Sequence, residues 1–91
     1  MRTYIIERTI PGASGLSGDD LRGIATTSNG VVDGLGVPYE WDHSYVAGDR
    51  IICVHRAENE EAVREHARRG NFPVDSVTEV AAVFGPETAG A

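Results

Sequence analysis

The stretch YEWDHSYVAGDRIICVHR, residues 39–56, decides the fold that this sequence predicts. Aromatic residues and a histidine alternate with polar residues over 39–46, which is typical of a strand with two unlike faces. Residues 50–56 form the return strand, and its centre, Ile51 to Val54, is apolar on both faces. The segment Ala47 to Asp49 between the two strands predicts a hairpin turn.

The length of this turn decides which side chains of the hairpin share a face. A two-residue turn would place His43 and His55 on opposite faces, whereas a three-residue turn would place both on one face with Cys53. The sequence leaves both registers open, although its Gly-Asp pair favours the shorter turn. In either register the alternation predicts that His43 shares a face with Trp41 and Tyr45.

Working outward from the hairpin, one strand and one helix are predicted on each side. The predicted strands are 2–9, 39–46, 50–56 and 76–84, and the predicted helices are 18–35 and 60–69. Ser17 and Asn59 are the predicted helix N-caps, and Gly70 is the predicted residue just beyond the second helix. The order βαββαβ indicates an α+β, ferredoxin-like sandwich, in which the first and third strands are central. It predicts one domain over 1–85 and a flexible tail over 86–91.

The apolar central strands predict a second copy of the chain. Two helices cover only one face of a four-stranded antiparallel sheet. If the other face is exposed to solvent, apolar and polar residues should alternate along each strand. The runs Tyr4 to Ile6 and Ile51 to Val54 do not alternate. We therefore predict a homodimer, a dimeric α+β barrel, in which the uncovered sheet faces pack together.

Composition excludes several classes of function. The chain has 91 residues, a net charge of -6, and eight basic residues, all of them arginine. The absence of lysine excludes Schiff-base and P-loop chemistry. The net negative charge argues against nucleic-acid or membrane partners, which need clustered positive charge. A single cysteine excludes an intramolecular disulfide and favours a cytoplasmic location. No motif indicates an enzyme, so a non-enzymatic role is favoured.

The side chains that could act as acid, base, nucleophile or metal ligand are three histidines, one cysteine and the carboxylates. Cys53 lies in an apolar strand and is expected to be an inert buried thiol. His55 lies near a strand end beside Arg56 and is expected to be solvated. His66 lies on the apolar face of the second helix and is expected to face the sheet, and His43 lies on the aromatic face of the hairpin.

Three stretches resemble a known family: IERTIPGA (6–13), WDHSYV (41–46) and NEEAVREHARRGNFP (59–73). The sequence is similar over roughly residues 2–85 to a family of small bacterial proteins that was long labelled a domain of unknown function. One branch of that family is described as nickel-binding. The resemblance implies a ferredoxin-like fold, a homodimer, nickel held at the dimer surface, and a role in metal sequestration or detoxification. His43 and His66 match the recurring histidines of the family, whereas His55 falls where other members carry an aromatic residue.

Two hypotheses follow for function. The first is a homodimer that binds nickel or another divalent transition metal, since nickel suits imidazole, carboxylate and water ligands. Its candidate ligands are His43 and His66 first, then His55, Glu60 and Glu61. The second is a dimeric α+β barrel enzyme or small-molecule binder. Its candidate pocket is lined by Tyr4, Trp41 and Tyr45, with His43 as acid–base.

Overall fold

The chain folds into four strands and two helices in the predicted order. The structure is a computed structural model that describes residues 1–90. The elements are β1 (Arg2–Thr9), α1 (Gly18–Gly34), β2 (Tyr39–Ala47), β3 (Arg50–Ala57), α2 (Glu60–Gly70) and β4 (Ser76–Glu79). Short 3-10 turns cover Ala13–Gly15 and Pro86–Gly90.

The four strands form one antiparallel sheet in the order β2-β3-β1-β4. The central positions of β1 and β3 and the edge positions of β2 and β4 confirm the predicted ferredoxin-like arrangement. Along β1, the buried residues Tyr4 and Ile6 alternate with the exposed Ile5. The buried side of the sheet packs beneath the helices. The core contains Tyr4, Ile6, Ala13, Leu35, Tyr39, Ile51, Cys53, Ala57 and Val63.

The other side of the sheet, which we name the open face, carries apolar side chains at its centre. The open face is defined here by Ile5, His43, Tyr45, Ile52 and Val54. Cross-strand pairing joins Ile5 to Val54 and Tyr45 to Ile52. Tyr45 is 57% exposed and Ile5 37% exposed. The chain itself therefore leaves this apolar patch uncovered.

The hairpin has the shorter of the two turns that the sequence left open. Ala47 pairs with Arg50, and Gly48 takes a positive φ of 59°, which a side chain would disfavour. The pairing becomes irregular between Trp41 and His43, where an extra residue interrupts the alternation. As a result Trp41 points to the helix side of the sheet and His43 to the open face. The prediction that these two side chains share a face is wrong because of this bulge.

The helix starts agree with the predicted caps, and both helix ends differ from the prediction by one residue. Ser17 forms a capping box with Asp20, and the Asn59 side chain accepts a hydrogen bond from the backbone N–H of Ala62. Helix α2 runs through Gly70, and Asn71 takes the left-handed conformation, with φ 55° and ψ 40°. The predicted end of α2 is therefore one residue too early, and the predicted end of α1, residue 35, is one residue too late.

The last strand is shorter than predicted. It ends at Glu79 instead of residue 84, and the next segment leaves Val83 89% and Phe84 84% exposed. Pro86–Gly90 forms a 3-10 turn, and Ala91 lies outside the described residues, so the flexible tail stays a prediction. Over residues 1–90, neither helix combines the length and the apolar character needed to cross a bilayer.

Candidate functional site

His66 lies at the centre of a buried aromatic stack. It projects from α2 and is only 1% exposed. Its ring is nearly parallel to those of Tyr39 and Phe72, with centroids 5.2 and 5.5 Å away. Its Nε2 lies 3.0 Å from Ser28 Oγ on α1. The stack confirms that His66 faces the sheet, and Ser28 fixes the rotation of its ring.

His55 is buried beside His66, so the prediction that it is solvated is wrong. It is 1% exposed, because Tyr4 of β1 and Trp41 of β2 flank it on the two neighbouring strands. The His55 and His66 ring centroids are 4.9 Å apart. His55 Nδ1 lies 2.5 Å from the Tyr39 hydroxyl. Local sequence could not reveal this burial, because it comes from pairing with distant strands.

Both buried imidazoles are neutral at neutral pH. Burial, with His66 and the positive charge of Arg8 as smaller causes, lowers the pKa of His55 from 6.5 to about 3. Burial and then the Arg8 charge lower the pKa of His66 from 6.5 to about 4. Burial raises the pKa of Tyr39, so its phenol keeps its proton and forms a neutral hydrogen bond with His55 Nδ1.

The histidine pair forms part of the wall of a cavity of about 400 Å³ between α1 and the sheet. Helix α1 contributes the small side chains Ala25 and Ser28 to the cavity wall. The apolar lining is Ile10, Leu21, Ile24, Ala25, Trp41, Val46, Ile51 and Phe72. The polar lining is Arg8, Ser28, Ser44, Cys53, His55 and His66. This combination of an apolar wall with a few converging polar groups is typical of small-molecule sites.

Arg8 is the residue of this cavity that sequence reasoning missed. It is 4% exposed, its Nη1 donates a hydrogen bond to the Pro73 carbonyl oxygen at 2.6 Å, and its guanidinium lies 5.4 Å from the centroid of Phe72. No carboxylate forms an ion pair with it among residues 1–90. Strand alternation could have revealed the burial of Arg8, because residues two apart on β1 lie on the same face and Arg8 follows Tyr4 and Ile6 at that spacing.

Two of the three candidate pocket aromatics, Tyr4 and Trp41, lie on the helix side of the sheet on either side of His55, whereas Tyr45 lies on the opposite side. Trp41 lines the cavity, Tyr4 is buried in the core, and Tyr45 lies on the open face. His43 is exposed on the open face, where it meets Tyr45 edge to face at 5.1 Å. The structure therefore separates His43 from the cavity by the thickness of the sheet. Cys53 is a buried free thiol, as expected.

The candidate metal ligands are also distributed over separate regions. Glu60 accepts a hydrogen bond from Arg64 Nε at 2.8 Å at the start of α2. Glu61 lines a second, shallow groove beside Glu58. Within residues 1–90, no three histidine, cysteine or carboxylate side chains are grouped closely enough to hold a metal ion. The candidate ligands therefore do not form one cluster within residues 1–90.

The donor sets differ in how well they suit nickel. Around His55 and His66, the unpaired charge of Arg8 opposes a cation, and one nitrogen of each ring already contacts a hydroxyl. His43 has no such competitor and presents its ring to solvent. The fit is therefore poor inside the cavity, whereas His43 can supply one imidazole ligand on the open face.

These features define a small ferredoxin-like α+β protein with one apolar sheet face and a partly open cavity lined by histidines and an arginine. The sequence profile of a family described as nickel responsive protein SCO4226-like matches residues 4–80. The chain therefore belongs to that family. A search of curated proteins finds no match.

A solved structure shares the fold. The crystal structure of SCO4226 from Streptomyces coelicolor A3(2) superposes with a TM-score of 0.75 at 18% sequence identity. The alignment covers 90% of this chain and 99% of that chain. At this identity the likeness concerns the fold, and the functional residues have to be argued from this chain.

Proposed function

We propose that this protein is a homodimeric nickel-binding protein of the cytoplasm that sequesters the metal, with His43 as its principal ligand. The observation that carries the proposal is the position of His43. Of the three histidines, all of which the structure describes, His43 alone is exposed. Membership of a family described as nickel responsive supports nickel as the metal.

Dimerisation would supply the ligands that one chain lacks. The open face is apolar at Ile5, Ile52 and Val54, and packing it against a second copy would remove that surface from water. A two-fold axis would bring a second His43 to the same interface. Water and carboxylates would complete the coordination, as nickel accepts oxygen ligands beside imidazole. Metal and dimer would then stabilise each other.

The proposal predicts that His43→Ala weakens nickel binding. Calorimetric titration of tag-free protein with nickel alone should show micromolar or tighter binding, with about one ion per two chains. The variant should lose at least about tenfold in affinity, because one imidazole ligand is removed. Sedimentation with and without nickel should show that the metal shifts wild-type protein toward the dimer.

The double substitution Glu60→Gln and Glu61→Gln is the matched control, because it alters the other exposed candidate ligands away from the open face. Its nickel affinity should stay within about twofold of wild type. The proposal fails if micromolar nickel produces no binding, or if His43→Ala binds as tightly as wild type. A loss confined to the glutamate variant would place the metal at the start of α2 instead.

A further inference from the structure

Arg8 is the starting point, because its charge is buried and has no counterion within residues 1–90. Arginine stays protonated in proteins, so burial cannot neutralise it as it neutralises the two histidines. Burying a charge is costly unless an opposite charge and hydrogen bonds compensate for it. Its one side-chain hydrogen bond within residues 1–90 is to the Pro73 carbonyl, which leaves most of its five N–H groups without an acceptor.

Neither histidine that lines the cavity with Arg8 can serve as its counterion, because an imidazole carries no negative charge. His55 Nδ1 is hydrogen-bonded to the Tyr39 hydroxyl, and His66 Nε2 lies 3.0 Å from Ser28 Oγ. His66 Nδ1 is buried without a hydrogen-bond partner within residues 1–90. The wall thus combines a cation that has no ion-pair partner within residues 1–90 with neutral polar groups, whereas the rest of its lining is largely apolar.

From this juxtaposition we infer that the cavity is a binding site for a small apolar carboxylate, whose anionic head pairs with Arg8 and whose apolar body fills the space against α1. The planar guanidinium fork matches a carboxylate in a two-point contact. Trp41 and Ile24 would contact the body of the ligand. A free metal cation is disfavoured by the same charge, so this site is separate from the nickel site proposed at His43.

The test compares an acid with its neutral isostere on wild-type protein freed of metal. The probes are 2-naphthoate and 2-naphthamide, titrated by calorimetry and by the indole N–H resonance of Trp41. Trp41 is the chain's single tryptophan and lines the cavity. The acid should bind at least about tenfold more tightly than the amide, because hydrogen bonds to charged groups are the stronger ones. Binding should shift the Trp41 resonance.

Three variants make the test specific. Arg8→Met should reduce the preference for the acid to within about twofold. Arg50→Met removes a largely exposed arginine instead and should leave the preference unchanged. Ala25→Phe places a bulky side chain in the cavity from α1 while Arg8 stays in the sequence, and it should weaken both probes at least about tenfold. It keeps the test decisive if Arg8→Met does not fold.

The inference is overturned if neither probe binds wild type at millimolar concentration, or if acid and amide bind equally. It is equally overturned if a folded Arg8→Met protein keeps the preference, or if Ala25→Phe leaves both affinities unchanged. His43→Ala should keep the full preference for the acid. Failure of the nickel proposal and failure of this one are therefore distinguishable.

Discussion

Two imidazoles are kept neutral in the interior, and that makes the fold sensitive to mild acid. His55 and His66 have pKa values lowered to about 3 and about 4, against 6.5 for the unfolded chain. At pH values between the native and the unfolded pKa, the unfolded chain binds more protons than the native one. The contribution of the two histidines to the free energy of unfolding is therefore complete above pH 6.5 and decreases as the pH falls below it. Arg8, Tyr39 and Ser28 surround the pair, and none of them supplies a carboxylate that would hold an imidazolium.

We therefore predict that the free energy of unfolding drops by about 1–2 kcal/mol per buried histidine between about pH 7.5 and about pH 5. Urea denaturation at the two pH values measures the drop. Glu65, whose pKa Arg68 and Arg69 lower to about 2, loses its stabilising effect only below its ordinary value of 4.5, outside this window. His66→Gln should reduce the slope and His43→Gln should keep it. A flat profile in wild type would contradict the prediction.

At the scale of elements, Gly70 is required by the close approach of the α2 end to the turn that follows. A Cβ at Gly70 would overlap the ring of Phe72, which stacks on His66. In α1, by contrast, a Cβ at Gly23 or Gly30 would meet nothing within 4 Å beyond its own stretch of helix. The same chemical change should therefore have opposite effects in the two helices.

We predict that Gly70→Ala destabilises the protein by about 1–3 kcal/mol, because the Phe72 ring has to move out of the stack. Gly30→Ala, the matched control, should stabilise it by about 0.5–1 kcal/mol through helix propensity and reduced entropy of the unfolded chain. Urea or thermal unfolding of the two variants measures both changes. Equal effects of the two substitutions would show that the overlap at Phe72 is relieved without cost.

The elements themselves could be predicted from local signals, whereas the site could not. Both helices were predicted from their capping residues, Ser17 and Asn59, and from the spacing of their apolar residues. The predicted ends of both helices and of three of the four strands lie within a residue or two of the observed ends. The bulge before His43 has no local signature, and one extra residue was enough to turn Trp41 from the open face into the cavity. The burial of His55 depends on pairing with two distant strands, which no local window contains.

At the scale of the whole molecule, the two faces of the sheet separate two kinds of chemistry. The helix side bears a partly open, positively charged and largely apolar cavity, while the open face combines apolar residues with the exposed His43. A net charge of -6 disfavours self-association through long-range repulsion, so the proposed dimer would have to rely on apolar burial. Raising the salt concentration should therefore strengthen the proposed dimer by screening that repulsion.

A charge at the centre of the open face should dissociate this dimer. Ile5 is 37% exposed between buried neighbours on β1, so Ile5→Glu should fold, and in a face-to-face dimer its carboxylate would be buried without a partner. We expect the dimer dissociation constant to rise at least about hundredfold, measured by sedimentation equilibrium at micromolar protein. Val37→Glu, at a position 50% exposed outside the sheet, is the matched control and should remain dimeric. Wild-type protein that is monomeric throughout this range, or an Ile5→Glu variant as dimeric as the control, would show that the open faces do not pair.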